Sequence, residues 1–177
     1  MLEERLKSVI RDIPDFPKPG IVFKDITPIL KDQQLCIEIV DAFIEQLQGV
    51  EIDAIAGVES RGFLFGMLLA NRLNIPFIPI RKQGKLPFKT ISESYKLEYG
   101  QATIEVHEDA LLPGSKVLIH DDLLATGGTV VAASKLLEKL QADIIGYAFI
   151  ISLDFLKSEG RLNRFSDRVI SLARFDA

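Results

Sequence analysis

A single cysteine, Cys36, stands among the 177 residues, so no disulfide framework holds this fold, and a reducing, cytoplasmic setting fits it best. Any excess of basic charge is missing as well. The formal net charge is -4 at pH 7, which repels a polyanion at a distance. Nucleic acid is therefore not expected as a ligand, and any phosphate this protein binds must be met by local donors. No long apolar run opens the chain: MLEERLKSVIRDI carries charges from its third position on, which fits neither a signal peptide nor a spanning helix, and no membrane association is expected. Internal repeats, low-complexity tracts and linkers are lacking too. His107 and His120 have no ligand companions at useful spacing, and Cys36 and Met67 fall on apolar helix faces, so no protein metal site is expected. What is present is 47% hydrophobic and 26% charged. That composition argues against disorder and, at this length, for one domain with a real core.

Leu2, Leu6, Val9 and Ile13 recur at helical spacing, and the proline-broken IPDFPKPGIVF then leaves that helix for an irregular segment, which reads as a cap rather than core. A helix over about 33–48 precedes the apolar strand EIDAIAGV at 51–58. GFLFGMLLANRL at 62–73 reads as a largely buried helix, and IPFIPIRK at 75–82 as the next strand. The rhythm then breaks. Glycines, a proline and several lysines predict an exposed loop that returns through a hairpin into ATIEVH. It resumes with strand KVLIHD at 116–121, helix TVVAASKLLEKLQ at 129–141, strand IIGYAFIISL at 144–153 and RVISLARF as a final edge strand. Alternating buried strands and helices predict an α/β fold, a mostly parallel twisted sheet flanked by helices on both faces.

The chemistry concentrates in VLIHDDLLATGGTVVAASKLL. An apolar strand ends in Asp121 and Asp122, and the small turn Ala125, Thr126, Gly127, Gly128, Thr129 opens into an amphipathic helix. Glycines let backbone N–H groups approach an anion closely, and the helix start adds unsatisfied donors and positive dipole. The lysine of a GxxxxGK[ST] loop and the spacing of GxGxxG are both missing, so neither a nucleoside triphosphate nor a dinucleotide is the natural ligand. Two carboxylates would repel a phosphate but accept hydrogen bonds well from a vicinal diol. Phosphate on the glycines and ribose hydroxyls on the aspartates is the consistent arrangement, which points to a sugar phosphate. A threonine-capped helix beside a solvent-exposed Asp122 is the plainer alternative, and it accounts for less of the pattern.

A hydrophobic strand followed by DDLLATGGT resembles the phosphoribosyl pyrophosphate motif of type I phosphoribosyltransferases in its adenine form. FPKPGIVFKDITPIL at 16–30, GVESRGFLFG at 57–66, IRKQGKLP at 80–87 and YKLEYG at 95–100 resemble segments of the same family in the same order, so the likeness covers nearly the whole chain. The resemblance implies a single type I phosphoribosyltransferase domain over 1–177, with a small N-terminal hood at 1–32 and a flexible lid loop at 81–100. It implies transfer of the phosphoribosyl group to adenine, giving AMP and pyrophosphate. A homodimer and Mg2+ held mainly through substrate oxygens are also implied, with no direct protein metal ligand.

By the same resemblance Glu59, Ser60 and Arg61 contact pyrophosphate from a loop that often carries a cis peptide, and Arg61, Arg81, Lys82 and Lys85 stabilise the leaving diphosphate. Glu98 exchanges a proton with the incoming base while Tyr99 helps hold the closed lid. Val22, Phe23 and Lys24 bind adenine, with Phe23 as the stacking face. His120 stands where the family more often has an aliphatic residue, close enough to perturb Asp121 or Asp122, and LPFKTISES departs slightly within the lid. Two alternatives use the same residues: a transferase for another purine, and a non-catalytic sensor of phosphoribosyl pyrophosphate.

Overall fold

The computed structural model describes residues 1–97 and 99–177. In chain order it holds α1 (Leu2–Val9), β1 (Arg11–Ile13), β2 (Phe23–Asp25), a 3-10 turn at Thr27–Lys31, α2 (Gln33–Gln46), β3 (Ala54–Val58), α3 (Gly62–Leu73), β4 (Phe77–Lys82), β5 (Thr90–Lys96) and β6 (Gln101–His107). Then come β7 (Lys116–Leu124), α4 (Gly128–Lys139), β8 (Asp143–Leu153), helical turns at Asp154–Leu156 and Glu159–Leu162, and β9 (Val169–Phe175). β1 and β2 pair with each other; the other strands form a 7-stranded sheet in the order β5-β6-β4-β3-β7-β8-β9. From β4 to β9 neighbouring strands run parallel, and β6 is antiparallel to both β4 and β5.

Strand residues alternate between the two faces. Ile55 and Leu118 pack with Phe43 of α2 and Phe65 of α3, whereas Ala56, Val117 and Ile119 pack with Leu136 and Leu137 of α4. Covering both faces is why β3 is buried at every position and why such strands read as continuous apolar runs. The fold class is the expected one. Among the described residues no helix is long and apolar enough to cross a membrane.

Three expectations change. The N-terminal cap belongs to the core: Leu6, Ile26 and Ile29 are fully buried in the α2–α3 cluster, and the Arg5 guanidinium ties α1 to Asp32 and Glu38 of α2 at 2.7 Å each. A stretch with one buried residue per turn looks superficial in sequence yet supplies those anchors. The segment before ATIEVH contains a full strand, β5, laddered from Thr90 opposite His107 to Lys96 opposite Gln101. Strand β7 also runs on through Leu124, so the acidic pair lies within the strand rather than at its end.

The site follows from the topology. From β3 the chain crosses through α3 to β4 on one side, and from β7 through α4 to β8 on the other. The two crossovers diverge between neighbours β3 and β7, and a crevice opens at their carboxyl ends as it does at such switch points generally.

Candidate active site

That crevice has a volume of about 320 Å³ and is lined by Glu59, Ser60 and Arg61 after β3, by Asp121, Asp122 and Thr129 along β7 and its turn, and by Lys82 and Tyr95 from the lid side. A smaller hollow of about 90 Å³ lies inside the turn itself, walled by Asp121 and residues 123–130. The turn needs its first glycine. Gly127 has φ +81°, and a Cβ there would come within 3.3 Å of the Ser158 Cβ. The N–H groups at the start of α4, which lack intrahelical partners, border this hollow, the arrangement that suits a phosphate.

Asp122 is only 2% exposed, and its Oδ2 accepts a 2.5 Å hydrogen bond from Arg61 Nε. The exposed-capping alternative therefore does not hold. Asp121 accepts the Asp122 backbone N–H at 2.8 Å, and its Oδ1 would lie 3.1 Å from a Cβ on Gly62. Although part of Asp121 faces the cleft, burial pushes its carboxyl pKa well above the usual range, and the neighbouring Asp122 charge pushes it further. The Arg61 guanidinium also lies 4.9 Å from the centre of the Phe23 ring, so one cation bridges the acidic floor and the hood.

The peptide between Glu59 and Ser60 is cis. Burial raises the Glu59 pKa, but the Lys82 backbone N–H and the Arg81 guanidinium, 2.7 and 2.9 Å from its carboxylate, outweigh that and hold it below the usual range. Arg81 is thus engaged by the protein's own groups, and it also donates to the Lys85 carbonyl at 3.2 Å. Lys82 lines the cleft, whereas Lys85 is exposed outside its lining.

In the hood, Phe23 meets Phe16 edge-on at 5.3 Å and Val22 is half exposed. The Lys24 ammonium turns away from the cleft, 2.7 Å from Asp12 and 4.2 Å over the Phe175 ring, which leaves its backbone as the part able to read a base edge. Tyr99 is 74% exposed with the Lys18 ammonium 3.8 Å over its ring. Glu98 lies outside the described residues.

Residues 27–170 match the phosphoribosyl transferase domain family. The adenine phosphoribosyltransferase of Cytophaga hutchinsonii is 55% identical over 175 residues, covering 99% of this chain and 97% of that one. The chain belongs to the adenine phosphoribosyltransferase family. Among solved structures, the adenine phosphoribosyltransferase of Thermoanaerobacter pseudethanolicus is similar with TM-score 0.94 and 48% identity, covering 99% of this chain and 100% of that one. The Saccharomyces cerevisiae enzyme, complexed with an imino-altritol bisphosphate and adenine, is similar with TM-score 0.91 and 42% identity, covering 97% and 98%.

Two further residues bear on the site. His120 is fully buried against Phe43, with ring centres 5.7 Å apart, and neither ring nitrogen makes a well-formed hydrogen bond among the described residues. Burial pushes its pKa down to about 4 despite the opposing pull of Asp122, so at neutral pH it adds no charge to the acidic pair. Tyr95 was not singled out in the sequence, yet its phenol oxygen accepts a 3.1 Å hydrogen bond from the Thr129 hydroxyl. Reading TISESYK as a strand would have revealed it, because Tyr95 then shares the inward face with Ile91 and Glu93.

Among the described residues no three His, Cys, Asp or Glu side chains gather for a metal. The floor offers the two aspartates, one already held by Arg61. This donor set suits a hard cation shared with substrate oxygens better than a cation caged by protein.

Proposed function

We propose that this chain catalyses transfer of the phosphoribosyl group from phosphoribosyl pyrophosphate to adenine, yielding AMP and pyrophosphate for purine salvage. One observation carries the reading: the buried acidic pair and the glycine turn lie together at the switch-point cleft, with an aromatic hood bridged to them by Arg61. The 5-phosphate sits on the N–H groups of Ala125, Thr126, Gly127, Gly128 and Thr129, and the ribose hydroxyls donate to Asp121 and Asp122. Adenine stacks on Phe23, with the Val22 and Lys24 backbone reading its edge.

As the ring nitrogen bonds to the anomeric carbon, the bond to diphosphate breaks with inversion, and the nitrogen's proton passes to Glu98. Negative charge grows on the departing diphosphate. Arg61, Arg81, Lys82 and Lys85, with the Glu59–Ser60 loop, stabilise that charge, and Tyr99 secures the lid. Mg2+, when bound, supplies further neutralisation of the diphosphate, held mainly through substrate oxygens at the aspartate floor.

We further read 1–177 as one catalytic domain with its lid at 81–100. Leu64, Met67 and Leu68 leave an apolar stripe exposed on α3, which supports a homodimer as the working form. The lone Cys36 fits a reducing compartment, and we place the reaction in the cytoplasm on that ground. The test is AMP formation from adenine, phosphoribosyl pyrophosphate and Mg2+, run beside hypoxanthine and guanine and repeated with Asp122→Ala. Adenine-selective turnover abolished by the substitution is expected. Binding of phosphoribosyl pyrophosphate without transfer to any base would instead make the chain a sensor.

A further inference from the structure

We infer that Tyr95 is a further substrate-binding residue, whose phenol O–H donates to the phosphate seated in the turn 125–129. The inference rests on the reading of that turn as the phosphate seat. Tyr95 accepts from the Thr129 hydroxyl at 3.1 Å, so its oxygen is engaged while its own proton has no acceptor among the described residues. The same side chain lines the main cleft beside Asp121 and Thr129. An uncommitted donor thus sits one hydrogen bond away from a residue of the anion-binding turn. Any anion that Thr129 binds through its hydroxyl comes within reach of the phenol.

Two further contacts fix its position. The ring covers the start of α4, where a Cβ on Gly128 would lie 3.8 Å from the ring edge. Strand β5 is strapped to α4 by Lys139, whose ammonium donates to the Ser92 carbonyl at 2.6 Å and pairs with Glu93 at 2.7 Å. Tyr95 therefore belongs to an anchored strand of the lid hairpin, already beside the turn before ligand arrives, and contributes its hydrogen bond at a low ordering cost. A neutral hydroxyl is also the donor type that a turn next to two carboxylates tolerates, because it adds no cation for Asp121 or Asp122 to capture.

The test compares wild type, Tyr95→Phe and Thr129→Val by calorimetric titration with ribose 5-phosphate, together with KM for phosphoribosyl pyrophosphate and for adenine and the thermal midpoint. Tyr95→Phe keeps the ring, so the midpoint and the adenine KM should stay at wild-type values. Affinity for ribose 5-phosphate and KM for phosphoribosyl pyrophosphate should both worsen by about 10- to 100-fold, the value of one hydrogen bond to a charged group. If Thr129→Val weakens ribose 5-phosphate and Tyr95→Phe does not, the role of Tyr95 is overturned while the phosphate seat stands. If neither substitution changes that affinity, the seat itself lies elsewhere and both readings fall.

Discussion

Gly127→Ala tests the phosphate turn most sharply, because two costs at that position can be separated. Gly127 holds φ +81°, a left-handed conformation that costs an alanine about 1–2 kcal/mol. The added Cβ would meet the Ser158 Cβ at 3.3 Å, with the Ser158 carbonyl oxygen at 3.7 Å and Leu124 Cδ1 at 3.8 Å, so the turn or the segment beneath it must shift by a few tenths of an ångström. For a chain of this size the backbone term alone lowers Tm by about 2–8 °C. The shift also re-aims the N–H groups that would hold the phosphate. Losing one hydrogen bond to a charged oxygen, about 1.5–3 kcal/mol, raises KM for phosphoribosyl pyrophosphate on the order of 10- to 100-fold.

Gly114→Ala supplies the control, since Gly114 has φ +83° with nothing within 4 Å of its Cβ position and sits before β7, away from the cleft. It should reproduce the loss of Tm and leave KM alone. The assays are thermal melts and initial rates over a range of phosphoribosyl pyrophosphate concentrations. Equal KM values for the two variants would refute the assignment of the turn.

His120→Leu removes two buried ring nitrogens without good partners, a burden of about 1–3 kcal/mol, and keeps most of the packing against Phe43. Denaturant titration at neutral pH should show a gain in stability, and a loss would mean that the imidazole is satisfied in solution. Asp121 has a raised pKa in the fold, so the ligand-free protein is favoured while that proton stays on and loses stability as pH climbs from 3.8, the ordinary aspartate value, through the raised one. Asp122→Asn removes a neighbouring charge and should flatten this slope in melts across that window; an unchanged slope would leave burial as its only source. Glu98→Gln should lower kcat by about 100-fold or more with little change in substrate affinity, as expected for loss of a general base, and undiminished turnover would remove Glu98 from the reaction.

Most of the sheet was legible because strands covered on both faces leave long apolar runs. AIAGV and IIGYAFIISL could be little else, and α3 occupies the expected 62–73. The turn was equally plain, since few local patterns place an acidic pair, small residues and a helix start in succession. What stayed hidden depended on partners distant in sequence. β5 is an edge strand whose outward residues Ser92, Ser94 and Lys96 dilute the apolar signal, so it resembled a loop, and Tyr95 was lost with it. The buried roles of Leu6 and Ile29 arise only when α1 and the 3-10 turn fold back onto α2. No local feature shows that Arg61 will reach Asp122 or that Arg81 will reach Glu59.

Those two ion pairs bear on how a chain of net charge -4 takes up a polyanionic substrate. Arg61 and Arg81, assigned to the diphosphate, are held on carboxylates of the site, Asp122 and Glu59, at 2.5 and 2.9 Å. Neither is a sealed pair, because the Arg61 side chain is 40% exposed and that of Arg81 33%. Their carboxylates are buried, however, with Asp122 3% and Glu59 14% exposed, so an arginine can leave only where another donor takes its place on the carboxylate. In the proposed reaction a ribose diol would donate to Asp122 in place of Arg61, and the released guanidinium would meet the diphosphate that arrives on the same molecule. Each half of the substrate thereby satisfies what the other half displaces. A lone phosphate offers no donor to replace Arg61 on Asp122, and a lone diol offers no anion to receive it. The exchange therefore favours ligands that carry both groups, a selectivity that a permanently basic cleft would lack.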